Sequence, residues 1–172
     1  CSKSVVDGLL YAPVGGGCTS MAITRVEVTP KQGEGMRDVR GDVVRRQLMS
    51  DHNIKVEEVR SINGFLINSE LEKTEIAERV NDLFSDPIIE NTLTDTLFLS
   101  STEHFPNTPA AAITIGFKPG VTDNPGSAAY DGFKTIFPHH EHRNVASIST
   151  YHTYVFFGLP DGVSTEWLAS TL

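Results

Sequence analysis

Cysteine is scarce in this chain of 172 residues: there are two, Cys1 and Cys18. Both precede the first segment with any periodicity, so a disulfide framework is excluded as the organising principle, and a reducing compartment, the cytoplasm, is the expectation. A nucleophilic Cys18 would need a base partner and a thiolate-favouring environment, which a glycine-rich stretch ahead of the fold does not supply. No run of about 18 apolar residues exists, so no membrane span is expected. Positive charge is also short, with 14 Lys and Arg against 22 Asp and Glu, a formal charge of −8 and a pI near 5.1. That balance repels a phosphate backbone, and no basic stripe interleaved with aromatics offsets it, so nucleic acid is not an expected partner. Low-complexity tracts are missing too. A hydrophobic content of 39% with 21% charged residues describes a globular chain, long enough for one domain or for two small units sharing a core.

Organised sequence begins at "MAITRVEV". The expectation is that Met21 is the natural initiator and that residues 1–20, with their Gly15-Gly16-Gly17 run, are leader or appended sequence. From there the chain says the same thing twice. "RVEVTPKQGEGMRDVRG", ending at Gly41, and "ITIGFKPGVTDNPG", ending at Gly126, both run strand, lysine, glycine, aspartate, glycine, helix. Lys31 answers Lys118, Gly33 answers Gly120, Asp38 answers Asp123 and Gly41 answers Gly126, with two extra residues in the first loop and an offset of about 85–87 residues. Val26 and Val28 alternate with Arg25 and Glu27, as do Ile113, Ile115 and Phe117 with their neighbours, so each copy opens with a half-buried strand. Val44 and Leu48, and then Ala129, Phe133, Ile136 and Phe137, recur at helical spacing. Asn63-Gly64 at the centre of "VEEVRSINGFLINSELE" predicts a hairpin, with His152-Thr153 as the weaker counterpart turn. Thr74 and Ser164 are the expected caps of a second helix in each copy. A strand around Ile88–Leu97 completes the first copy. The expected architecture is α+β: two ferredoxin-like βαββαβ units in tandem, antiparallel sheets with helices on one face, the second unit lacking its last strand. The units span 21–98 and 110–172, joined by a linker at 99–109.

The loop "GFKPGVTDNPG" raises the question of a ligand, because glycine-rich turns between strand and helix can cradle phosphate. Neither nucleotide-binding signature is present, so Lys118, Pro119, Gly120, Asp123 and Gly126, with Lys31, Gly33, Asp38 and Gly41, are read as shaped structural or docking loops. His139, His140 and His142 in "PHHEHR" are the candidate metal ligands, at a spacing that matches no closed zinc site. Tyr151, Tyr154, Phe156 and Phe157 are read as core and cross-strand aromatics. No catalytic residue is assigned. An unpaired strand edge near Ile113–Phe117 is expected to promote self-association or to borrow residues 1–20.

"RVEVTPKQG", "VRSINGFLI" and "LFSDPIIEN", and more strongly "GFKPGVTDNPG" followed by "VASISTYHTYVFFG", resemble PurS, the small subunit of phosphoribosylformylglycinamidine (FGAM) synthase. The likeness covers about residues 23–172 and resembles the tandem N-terminal region of the large fused synthases. The resemblance implies an assembly module of purine biosynthesis, bridging a synthetase part that uses ATP and Mg and a glutaminase part, with no cofactor of its own. The alternative from fold alone is a paired ferredoxin-like module that senses a small metabolite.

Overall fold

The computed structural model describes residues 21–33, 35–100, 104–105, 107–136 and 145–172. One antiparallel sheet of five strands and four helices forms a mixed α+β fold. In chain order these are β1 (Ala22–Pro30), α1 (Val39–His52), β2 (Glu58–Ser69), α2 (Lys73–Phe84), β3 (Glu90–Thr94), β4 (Ala111–Gly116), α3 (Asn124–Ile136), β5 (Val145–Phe157) and α4 (Thr165–Thr171). The spatial order is β3-β1-β2-β5-β4.

The expected hairpin at Asn63-Gly64 does not form. β2 runs straight through it, and Asn63 and Gly64 pair with His152 and Tyr151 of an equally continuous β5. Gly64 serves packing instead of turning: a Cβ there would lie 1.9 Å from Tyr151 Cζ, so only glycine lets the ring cross β2. Each half therefore runs strand, helix, long strand, helix, and only the first adds a third strand. The two long strands join the halves into one sheet.

Strand alternation sorts the side chains onto two faces. Val26, Val28, Phe65, Ile67, Ile148, Tyr154 and Phe156 point to the helices, where two clusters form. One gathers Ile76 and Val80 of α2 with Phe133 of α3, and the other gathers Val44 and Leu48 of α1 with Leu168 of α4. On the opposite face Ile62, Val155 and Phe157 pack under Phe98 and Phe105, so the connection between the halves covers part of the sheet. This corrects the reading of Glu27 as a solvent-facing residue: it is 3% exposed.

Helix boundaries follow local chemistry. Asp38 caps α1 by accepting from Gly41 N–H, and Asn53 ends it in the left-handed conformation at φ 55°. Ser164 Oγ accepts from Trp167 N–H at 3.1 Å and caps α4 as expected. Thr74, in contrast, lies inside α2, whose N-cap is Glu72; Glu75 reaches back to the Glu72 N–H at 3.0 Å. Among the described residues no helix is long and apolar enough to cross a membrane.

Candidate functional site

The two loops singled out from sequence are built alike. β1 and β2 stay in register as far as Val28↔Asn63, and β4 and β5 as far as Gly116↔Tyr151. Beyond those points the first strand of each half departs, leaving donors on the longer strand to be satisfied. An aspartate takes that place. Asp38 accepts from Gly41 N–H at 2.8 Å, Ser61 N–H at 2.5 Å and Ser61 Oγ at 2.8 Å. Asp123 accepts from Gly126 N–H at 2.6 Å, Thr150 N–H at 2.5 Å and Thr150 Oγ1 at 2.8 Å. Each carboxylate closes the sheet ladder and starts the following helix, so both of its oxygens are engaged inside the fold.

The glycines three residues on have one role as well. A Cβ at Gly41 would lie 2.0 Å from the Val59 carbonyl oxygen, and one at Gly126 would lie 2.5 Å from that of Ile148. The first turn of α1 and of α3 thus rests directly on the backbone of the long strand. In the second loop Val121 N–H donates to the Lys118 carbonyl at 3.0 Å, and Gly120 has φ +86°. Lys118-Pro119-Gly120-Val121 is therefore a turn in which proline presets one dihedral and glycine supplies the positive φ. In the first loop the Lys31 side chain donates to the Pro87 carbonyl, tying β1 to the approach to β3. Gly33 has only Met36 nearby, at 3.8 Å from its notional Cβ.

The loops differ in one respect. Arg60, 5% exposed, donates to the Pro30 carbonyl and has Nε 3.8 Å from Asp38 Oδ2. Ser149 holds the matching position beside the second loop and is exposed.

Where the halves meet, Asn63 pairs with His152, and one step to either side Ile62↔Thr153 and Gly64↔Tyr151 exchange places. An approximate twofold axis thus passes through the Asn63 and His152 pair. On the helical face Arg40 donates to Asn63 Oδ1 at 2.5 Å and lies 2.9 Å from His152 Nδ1. Burial first, and then the Arg40 guanidinium, hold the His152 pKa below its ordinary value, with Asp123 opposing. On the other face the Tyr151 hydroxyl donates to Glu27 Oε1 at 2.8 Å, and Phe98 N–H donates to Glu27 Oε2 at 2.9 Å. Burial and then the Glu27 carboxylate push the Tyr151 phenol well above its usual range.

This polar bridge was not legible in the sequence, since its partners are 124 residues apart. The one available signal was a glycine facing an aromatic across neighbouring strands. Of the aromatics on β5, Tyr154 and Phe156 join the helix-side core and Phe157 the opposite one, while Tyr151 lies over Gly64. His139, His140, His142, Cys1 and Cys18 fall outside the described residues. Among the described residues no group of three or more His, Cys, Asp or Glu could hold a metal ion.

What this arrangement can do chemically is hold shape: its carboxylates are consumed by backbone and hydroxyl donors, and its phenol is kept protonated. Comparison of the chain with protein-family models, with curated proteins and with solved structures returned no match.

Proposed function

We propose that this chain is a non-catalytic assembly module of FGAM synthase, built from two PurS-like units and linking the synthetase and glutaminase parts of that enzyme. The resemblance of the loop and long-strand sequences supports the reading. One geometric observation carries it further: Asp38 and Asp123, the residues best placed for chemistry in the repeated loops, spend both carboxylate oxygens on the Gly41, Ser61, Gly126 and Thr150 donors. The loops then act as rigid corners that present the surrounding surface. A pseudo-symmetric pair of units within one chain gives a scaffold two related faces on which different partners can be seated.

Reconstitution tests the proposal. The chain is mixed with separately prepared synthetase and glutaminase parts, and glutamine-dependent amidine formation is followed against a control without it. The expected result is co-elution of the three and glutamine-dependent turnover that needs this chain, with none from the chain alone. Failure to co-elute, together with turnover indifferent to its presence, would refute the reading. Stabilisation by a purine-pathway metabolite in a thermal-shift screen, with no partner binding, would favour the sensing module instead.

A further inference from the structure

We propose that the second half carries a docking site for a partner polypeptide whose binding segment is a helical turn ending in an aromatic residue, followed after a short turn by an extended strand. The site is a groove of about 280 Å³ lined by Val44, Leu48, Ile115, Tyr154 and Leu172, continuous with the outer edge of β4. Among the described residues β4 pairs only with β5.

The approximate twofold identifies the occupant, because the same place in the first half is filled. There the last turns of α2 bring Val80 and Phe84 onto the sheet, and the Phe84 ring centre lies 4.4 Å from that of Phe65 and 6.3 Å from that of Phe133. The counterparts of Phe65 and Phe133 are Tyr154 and Leu48, which line the groove. α2 has 12 residues and α4 has 7, so the counterpart of the Phe84 turn is not supplied by α4. Exposure records the difference. Val28 is 1% exposed and its counterpart Ile115 is 37%; Val80 is 3% exposed and its counterpart Leu172 is 38%.

The strand part follows from register. β3 pairs with β1 through Val26↔Thr94, Val28↔Thr92 and Pro30↔Glu90. The same antiparallel geometry on β4 would set an incoming strand opposite Ile113, Ile115 and Phe117. Lys31 guides the chain into β3, its N–H donating to the Ile89 carbonyl at 2.8 Å and its side chain to that of Pro87. Lys118 stands at the same step after β4, exposed, and ready to meet the carbonyls of an arriving segment. Main-chain bonds to the edge supply affinity, and the aromatic anchor supplies choice of partner. The inference is independent of which enzyme the module serves.

The probe is a synthetic peptide of residues 80–96, "VNDLFSDPIIENTLTDT", titrated into the isotopically labelled full chain. The expected result is saturable shifts of Leu48, Ile113, Ile115 and Tyr154, slowed amide exchange along β4, and affinity about tenfold weaker for the Phe84→Ala peptide. Ile115→Asp in the chain should abolish binding while leaving the shifts of the first half unchanged. As a second measurement, residues 81–96 joined directly after Leu172 should raise the melting temperature by roughly 2–4 °C or more. Three outcomes would overturn the proposal: β4 amides already protected in the monomeric chain; a dimer through β4 that the peptide does not displace; or absent binding together with an unchanged melting temperature of the extended chain.

Discussion

Asp38 and Asp123 show how one residue type sets two pieces of local structure at once. Each accepts from the strand it leaves open and from the helix it begins. Removing the carboxylate strands several donors, and a buried donor without a partner costs about 1–3 kcal/mol. Asp38 is 7% exposed, whereas Asp123 is half-buried and water can replace part of what it gives. Asp38→Ala is therefore expected to lower stability by about 3 kcal/mol and Asp123→Ala by about half of that, read from urea unfolding midpoints. Equal losses would contradict the assigned roles. His152 makes a second residue-scale prediction. Its pKa in the fold lies below the ordinary 6.5, so the unfolded chain binds the proton more readily. Stability should be flat above roughly pH 7 and should fall as pH drops through the ordinary value toward the lowered one. His152→Gln should make the curve shallower between roughly pH 7 and 5, in parallel measurements of unfolding against pH.

At the scale of elements, the long strands and the helix starts contrast. Asn63-Gly64 is a strong local turn signal, yet it lies mid-strand because β2 is held on both sides, by β1 and by β5. Two ladders outweigh one turn preference, and Gly64 is retained for the Tyr151 ring that crosses it. Helix starts answer to nearer causes, but the nearest candidate does not always act. Ser164→Ala should cost about 1 kcal/mol, since it removes the acceptor for Trp167 N–H. Thr74→Ala should change stability by less than about 0.5 kcal/mol, because Glu72 and Glu75 occupy the cap of α2. Thermal unfolding of the pair checks both, and a larger loss for Thr74→Ala would contradict the cap at Glu72.

For the whole molecule the decisive contact is β2 against β5, which runs from Glu58↔Phe157 to Ser69↔Val145 and joins the halves across most of both strands. Neither half keeps its sheet closed without the other. A chain of residues 21–98 alone would present β2 as an open edge whose register is centred on Asn63, a surface able to pair with itself about the same axis. The expected outcome in light scattering is a dimer that unfolds as it dissociates. A stably folded monomer would show that the shared sheet is not what holds the halves together. Substituting Gly64 by a larger residue in that fragment should leave dimerisation intact, since no Tyr151 ring then needs the space.

The sequence by itself determined what depends on neighbours a few residues away: the strand, loop and helix order around Asp38 and Asp123, the cap at Ser164, and the internal repeat that relates them. Tertiary structure alone decided the course of β2, the burial of Glu27 under Phe98 and Tyr151, and the pairing of His152 with Asn63, partners 89 residues apart. Turn and alternation signals report the preference of a short segment for solvent or core. Which face is covered, and by what, depends on segments brought together only by folding, so a glutamate alternating with valines reads as solvent-facing until a distant phenol and a backbone N–H arrive to satisfy its carboxylate.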